Sequence, residues 1–473
     1  MFITSRRTFL KGLAAAGAAS SLSRIGFAGG RDGFNEEILL VVFLRGGNDG
    51  LNLIPPVGGP ARPLYEAARP TLKVPVSGDD AALPLDGEFG LHPAAAPLHP
   101  FWQDGHMAIV HACGMHHPTR SHFEAEDFIE LGTPGSKSIG TGWLHRHLAS
   151  ATNLPGEILI PALSAGYYTA TSLYGETGAL TLAGAEMFEY LWGPWHWQDS
   201  ERASQRQLYS RDTTDVHVSG AQAMNAVDIV HAYASGDYTP AGGAQYPGGE
   251  FGDLMALAAR MIKADVGIRI VTVDHGGWDT HENQGYGAGG EFATLARELA
   301  DGIAAFLTDL SASGLGNRVT VLTMTEFGRR VHENQDQGTD HGHAAPMMLL
   351  GGRVIGGLHG TFPGLEPENM FEEIDVEVTT DYRRVCSEVL IRRLGNPNLG
   401  VVFPGYSGYE PLGVVEGEDL TPIYGGLVGA PLISDVIKEA MGGGQGTNTA
   451  LDCSGDGQVT AADVPCTVES IFR

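Results

Sequence analysis

Cysteine is scarce in this chain, and so are basic residues: there are 4 Cys in 473 residues, and 29 Lys and Arg against 56 Asp and Glu. Four cysteines are too few to staple a fold of this length, so a hydrophobic core must hold it together. The formal charge of −27 repels phosphate backbones and anionic headgroups, which argues against nucleic acid or a membrane surface as partner. Cations are the natural counterpart. No stretch is long and apolar enough to span a bilayer, since the small-residue run near the N-terminus reaches about half of the roughly 20 residues required. Glycine, by contrast, is abundant at 67 residues, but it has no triplet period and so marks tight turns rather than a collagen-like array.

What is present begins with an address. Ser5-Arg6-Arg7-Thr8-Phe9-Leu10-Lys11, then the apolar stretch Gly12 to Ala18 and a cleavage-type Gly26-Phe27-Ala28, reads as a twin-arginine export signal over residues 1–28. The expected destination is the periplasm or the cell exterior. Export of an already folded chain would suit a metal or cofactor loaded beforehand. Of the cysteines, Cys386 falls in a helical stripe with Tyr382, Val385, Val389 and Leu390 and is expected to be a buried, inert thiol. Cys453 and Cys466 flank one short loop and are free to pair in an oxidising compartment, although spacing alone does not establish the bridge.

Residues 37–44 form an apolar run that opens into Arg45-Gly46-Gly47-Asn48-Asp49-Gly50, the pattern of a buried strand followed by a glycine-rich loop. Further strands are expected at 107–111, 267–273, 318–324 and 346–350. Helices are expected at 121–131, 251–263 and 380–394, and the stripe Phe292, Leu295, Leu299, Ile303, Phe306, Leu310 marks a long amphipathic one. Residues 185–250 are irregular and rich in Gly, Pro, Tyr and Trp, which suggests an inserted lobe or long loops. Within them, Trp192, Trp195 and Trp197 either stack on a sugar ring or cap a lobe. Strands alternating with helices imply an α/β fold around a largely parallel sheet covered on both faces. The main domain is expected over 37–410, with a loop-rich linker over 411–447 and a small module over 448–473.

That module carries Asp452, Ser454 and Asp456 at positions one, three and five of a twelve-residue loop, Gly457 at six, Gln458 at seven and Asp463 at twelve. Calcium takes six to eight oxygens around a sharp turn, which accounts for both the spacing and the glycine. The loop resembles one half of a dockerin repeat. A protein partner for the module is what that resemblance implies.

Three polar clusters follow or precede apolar strands: Gly276-Gly277-Trp278-Asp279-Thr280-His281, Thr325-Glu326-Phe327-Gly328-Arg329 and Asp340-His341-Gly342-His343. Carboxylates and imidazoles gathered at one sheet edge suit one or two divalent cations, with Zn, Mn, Mg and Ca all open from donor types alone. His116, His117 and His122 are further possible ligands or proton carriers.

These clusters, with the Gly46 to Asn52 loop, Arg120-Ser121-His122-Phe123-Glu124 and Thr379-Thr380-Asp381-Tyr382-Arg383, resemble the exported bacterial proteins classed as domain of unknown function 1501, over about residues 37–395. That family is distantly similar to the alkaline phosphatase and sulfatase superfamily. The resemblance implies a three-layer α/β/α sandwich and a metal-dependent hydrolase of phosphate or sulfate esters, on a small molecule or a polysaccharide. It also implies metal ligands at Asp49 (or Asn52), Asp279, His281, Glu326 and His341 or His343, with Asp340 beside them. Ser121 stands where the nucleophile would, and Arg120 and Arg329 where a substrate oxygen would be held. Phe327 departs from that pattern, which has a histidine after the second-site carboxylate, so a single metal or altered chemistry is as compatible as a pair. A non-catalytic envelope or assembly protein and a carbohydrate-binding protein are the other expectations.

Overall fold

The computed structural model describes residues 34–155, 158–184, 197–233 and 236–425. The export signal, Trp192, Trp195, the linker beyond 425 and the calcium loop with Asp452, Ser454, Asp456, Gln458 and Asp463 lie outside the described residues. So do Cys453 and Cys466.

Nine strands make one sheet: β1 (Ile38–Leu44), β2 (Met107–Gly114), β3 (Ala162–Ala165), β4 (Leu180–Leu182), β5 (Ile270–His275), β6 (Val319–Met324), β7 (Ala345–Leu350), β8 (Gly357–His359) and β9 (Thr380–Asp381). The order is β8-β2-β7-β6-β1-β5-β3-β4, with β9 beside β2. Strand β1 is parallel to both β5 and β6, and β3 continues in parallel from β5. β7 runs antiparallel to β2 and β6, so the sheet is mixed. The reason lies in the connection: the chain leaves β6 and re-enters β7 at the same edge, and such a return gives antiparallel neighbours.

Both sheet faces are covered. Ile38, Leu40, Val42 and Leu44 pack with helices α6 (Glu250–Lys263) and α7 (Glu291–Ala312), while Leu39, Val41 and Phe43 pack with α2 (His122–Leu131), α3 (Trp143–Ser150) and α8 (Tyr382–Glu388). Successive strand residues point to opposite faces, so a strand buried on both sides must be apolar throughout, as β1 is. The 292–310 stripe is buried along α7, and Cys386 is buried in α8. Ahead of these lies α1 (Ala61–Ala68). Residues 197–233 form two helices, α4 (Gln198–Tyr209) and α5 (Asp215–Tyr233), within the stretch that composition marks as irregular. Val216 and Val218 are exposed on α5 while Met224, Val227 and Val230 are buried, so its apolar residues do not draw one clean stripe.

Among the described residues no helix is long and apolar enough to cross a membrane. The parallel strands β1, β5 and β6 end at one sheet edge, where the loops 45–50, 276–290 and 325–344 emerge. In open α/β sheets ligands bind outside such carboxyl ends.

Candidate metal centre

Four side chains meet at that edge, three from the loops 276–290 and 325–344 and one from the start of α2. His122 opens α2, Asp279 and His281 follow β5, and His341 precedes β7. His341 Nε2 lies 2.9 Å from His122 Nε2, 2.9 Å from His281 Nε2 and 3.1 Å from Asp279 Oδ1. Asp279 Oδ1 is in turn 3.4 Å from His122 Nε2 and 3.0 Å from His281 Nε2. A tetrahedral ion about 2.1 Å from each donor sets donor separations of roughly 3.4 Å, and the five separations above, 2.9 to 3.4 Å, reach that figure or fall up to about half an ångström short of it.

The outward nitrogens settle which ring atom faces inward. His341 Nδ1 is 2.7 Å from the Arg120 carbonyl, His122 Nδ1 2.6 Å from Glu326 Oε1, and His281 Nδ1 3.2 Å from Asp340 Oδ1. A carbonyl or carboxylate oxygen only accepts, so each Nδ1 carries a proton, and a ring holding that proton alone turns a bare Nε2 lone pair toward the same point. Three lone pairs and a carboxylate oxygen facing one another repel unless a cation lies among them. Oxygen acceptors behind metal-binding imidazoles are the usual means of fixing tautomer and ring orientation.

Charge at Asp279 follows from its neighbours. Burial works against ionisation there, but the hydrogen bond and charge of Arg329, with help from His341 and His122, outweigh it and hold the carboxyl down at about 2. His122 is shifted upward, chiefly by its hydrogen bond to Glu326. His341 is shifted downward by burial. The four side chains stay open to solvent: His122 is 22%, His341 23%, His281 40% and Asp279 48% exposed, so an ion held here would be reachable from outside.

The loops are held from behind. Arg329 is fully buried and donates to the carbonyls of Gly46, Gly47, Trp278 and Thr339 as well as to Asp279 at 2.5 Å. Glu326 accepts the Gly46 amide at 2.8 Å in addition to His122. Gly46 has φ +118° and its missing Cβ would stand 2.4 Å from the Asp279 amide nitrogen, so only glycine allows this approach. Phe327 packs its ring 4.8 Å from that of His122 and 4.9 Å from that of His341, forming an apolar wall.

Asp279, His281 and His341 therefore converge, and Glu326 and Asp340 stand directly behind the rings. Asp49 is fully buried, with Oδ2 2.6 Å from Arg69 Nη1 and 2.6 Å from Gln284 Nε2. Asn52 accepts from Tyr65 and Arg69. His343 is buried against Phe371, ring centroids 4.1 Å apart, and burial pushes it down to about 4. Arg120 donates two bonds to Asp375 and one to Glu372, while its carbonyl supports His341. Ser121 is the N-cap of α2, and its side chain makes no capping bond. His117 packs edge-on against Phe128. His122 is the donor that motif spacing left open between ligand and proton carrier. Its signal is position: it directly follows Ser121 at a helix start.

An α/β protein with a mixed central sheet and one imidazole-rich cluster at its strand ends is the class that fold and site define. Residues 193–396 match the family model described as protein of unknown function (DUF1501), so the resemblance carried by the sequence motifs holds across the segment that supplies Asp279, His281, Glu326 and His341. Among solved structures the chain is similar to the alkaline phosphatase from the Antarctic bacterium TAB5, at 8% identity and a TM-score of 0.30, over 67% of this chain and 92% of that one. No curated protein matches it.

Proposed function

We propose that the cluster of His122, Asp279, His281 and His341 holds one divalent ion and that the protein is an exported, metal-dependent hydrolase of phosphate or sulfate esters. The observation that carries this reading is the convergence of three Nε2 atoms and one carboxylate oxygen, each ring backed by an oxygen acceptor. Three imidazoles favour zinc or another first-row transition ion over magnesium or calcium, which prefer all-oxygen sets. When bound, such an ion supplies Lewis acidity toward an ester's oxygens.

The chain's own residues divide the remaining work. Asp279, kept ionised by Arg329, offsets the ion's charge, and the exposed side of the cluster leaves room for a substrate oxygen. Ser121, one residue before His122 and with a hydroxyl not spent on capping, is the nucleophile in this reading. Arg329 and Arg120 are positioning residues, since the donors of Arg329 go to four carbonyls and Asp279, and Arg120 is engaged by Asp375 and Glu372. Phe327 closes one side with an apolar ring, which supports a centre for one ion rather than two.

The test is elemental analysis of purified protein together with hydrolysis of nitrophenyl phosphate and nitrophenyl sulfate. Wild type is expected to carry about one transition-metal equivalent from its main domain and to cleave one of the two esters, and Asp279→Ala to lose both properties. Metal bound without turnover of either ester would favour a non-catalytic envelope or assembly role, a reading that the single-ion donor set also permits. Calcium for the C-terminal loop, with a protein partner, stays part of the proposal on its ligand spacing alone.

A further inference from the structure

Beneath the cluster lies a polar network that nothing in the ester chemistry uses. Asp49, Arg69 and Gln284 are all fully buried. Asp49 Oδ2 accepts from Arg69 Nη1 at 2.6 Å and from Gln284 Nε2 at 2.6 Å. A carboxylate only accepts, so the Gln284 amide must turn its nitrogen toward Asp49 and its oxygen the other way. That oxygen receives the hydroxyls of Thr280 at 3.0 Å and Thr339 at 2.9 Å. Thr280 sits between Asp279 and His281. Thr339 lies two residues before His341, and its amide donates to the Thr280 carbonyl at 3.1 Å.

We infer that Asp49 is a positioning residue for the metal centre, acting through Gln284 to clamp together the two loops that carry Asp279, His281 and His341. This rests on the metal-centre reading and goes beyond it, because the family resemblance would make Asp49 a ligand. Its Oδ2 is committed to Arg69 and Gln284 while Oδ1 has no partner among the described residues, and its charge fixes the orientation of an amide that grips one hydroxyl from each loop. Arg69 adds a second hold on the 325–344 loop by donating to the carbonyls of Arg330 and Val331 at 2.8 and 2.9 Å. Burying such a network is costly where a group lacks a partner, and Asp49 Oδ1 has none among the described residues, but the bonds made through Oδ2 tie the loops together rigidly. Rigidity here means that the donors keep their 2.9 to 3.4 Å spacing before any ion arrives.

The experiment is a double-mutant cycle on the full chain, read by calorimetric titration of the apoprotein with Zn²⁺ and by its melting temperature without metal. Gln284→Met keeps the side chain's length and removes all three of its hydrogen bonds, and Asp49→Asn keeps the shape and removes the charge. Each is expected to weaken Zn²⁺ binding about 10- to 100-fold, the range typical of supporting groups behind ligands. The double variant should be no weaker than the poorer single one, since both changes break one chain of contacts. Thr280→Val should lower affinity in the same direction with the apoprotein's melting temperature unchanged. Losses that multiply, or an unaffected Gln284→Met beside a binding-dead Asp49→Asn, would overturn the inference and make Asp49 a direct ligand. Melting temperatures that fall while affinity holds would also overturn it, leaving the network a matter of stability alone. A wild-type protein that takes up no Zn²⁺ would bring down the metal centre itself, a result distinct from these.

Discussion

Two populations of histidine share this molecule and differ in almost every physical respect. At the sheet edge, His122, His281 and His341 are partly exposed, tethered by oxygen acceptors through Nδ1 and aimed at one another. In the interior, His92, His111, His147 and His343 are buried, and burial pushes each down to about 4. Their neighbours are mostly aromatic: His111 lies 4.4 Å from the ring of Phe89, His92 5.3 Å from Phe292 and His343 4.1 Å from Phe371. The first group is built to share a charge and the second to stay neutral. What decides membership is whether a histidine lies where three loops leave the sheet, not how many polar residues surround it in the chain.

Acid should separate the two groups most strongly. The interior histidines titrate lower when folded than the usual 6.5, so below that value the unfolded chain takes up protons that the native state refuses, and stability falls as pH drops. The loss should begin near pH 6.5 and level off near pH 4, at most on the order of 3 kcal/mol for a group as enclosed as His147. Metal-free His122 runs the other way, since Glu326 raises it and its contribution is lost as pH rises. Denaturant titrations of the apoprotein at several pH values measure the sum, and a flat profile between 6.5 and 4 would break the distinction.

A smaller effect should come from Glu326→Gln. The amide's NH₂ group or a flipped amide oxygen meets His122 in place of a carboxylate, the ring is less well held, and metal affinity should drop about 10-fold or somewhat more with the fold intact. Smallest of all should be His343→Phe. This residue was expected among the ligands, yet it stacks on Phe371, so its replacement should leave metal content unchanged and raise acid resistance slightly. A measurable loss of metal in that variant would move His343 into the first population.

Much of the architecture was legible in advance because it follows from periodicity. The strands expected at 37–44, 318–324 and 346–350 are buried strands at 38–44, 319–324 and 345–350, and the three-and-four spacing from Phe292 to Leu310 became α7. The helices at 198–209 and 215–233 were not, since α5 scatters apolar side chains around its axis and α4 is mostly polar. At the site, the succession of polar clusters after strands pointed to the edge at which Asp279, His281 and His341 converge. Side-chain direction was the missing quantity. His341 and His343 look equivalent in Asp-His-Gly-His, but His341 reaches the Arg120 carbonyl while His343 turns to Phe371, with Gly342 pressed so closely on the Arg329 backbone that a Cβ would lie 2.4 Å from its carbonyl carbon. Asp49 was likewise hidden, because nothing in Gly-Gly-Asn-Asp-Gly announces that Arg69 and Gln284 will both bond to one of its carboxylate oxygens.

The tight seat of Gly46 against Asp279 also bears on re-engineering. Anyone seeking to reshape the cluster would find one flank closed to variation, since even alanine at position 46 would displace the peptide unit of Asp279. Productive libraries should therefore sample the solvent side, around the exposed Phe123, and keep the Gly46-Gly47 loop as a fixed gauge.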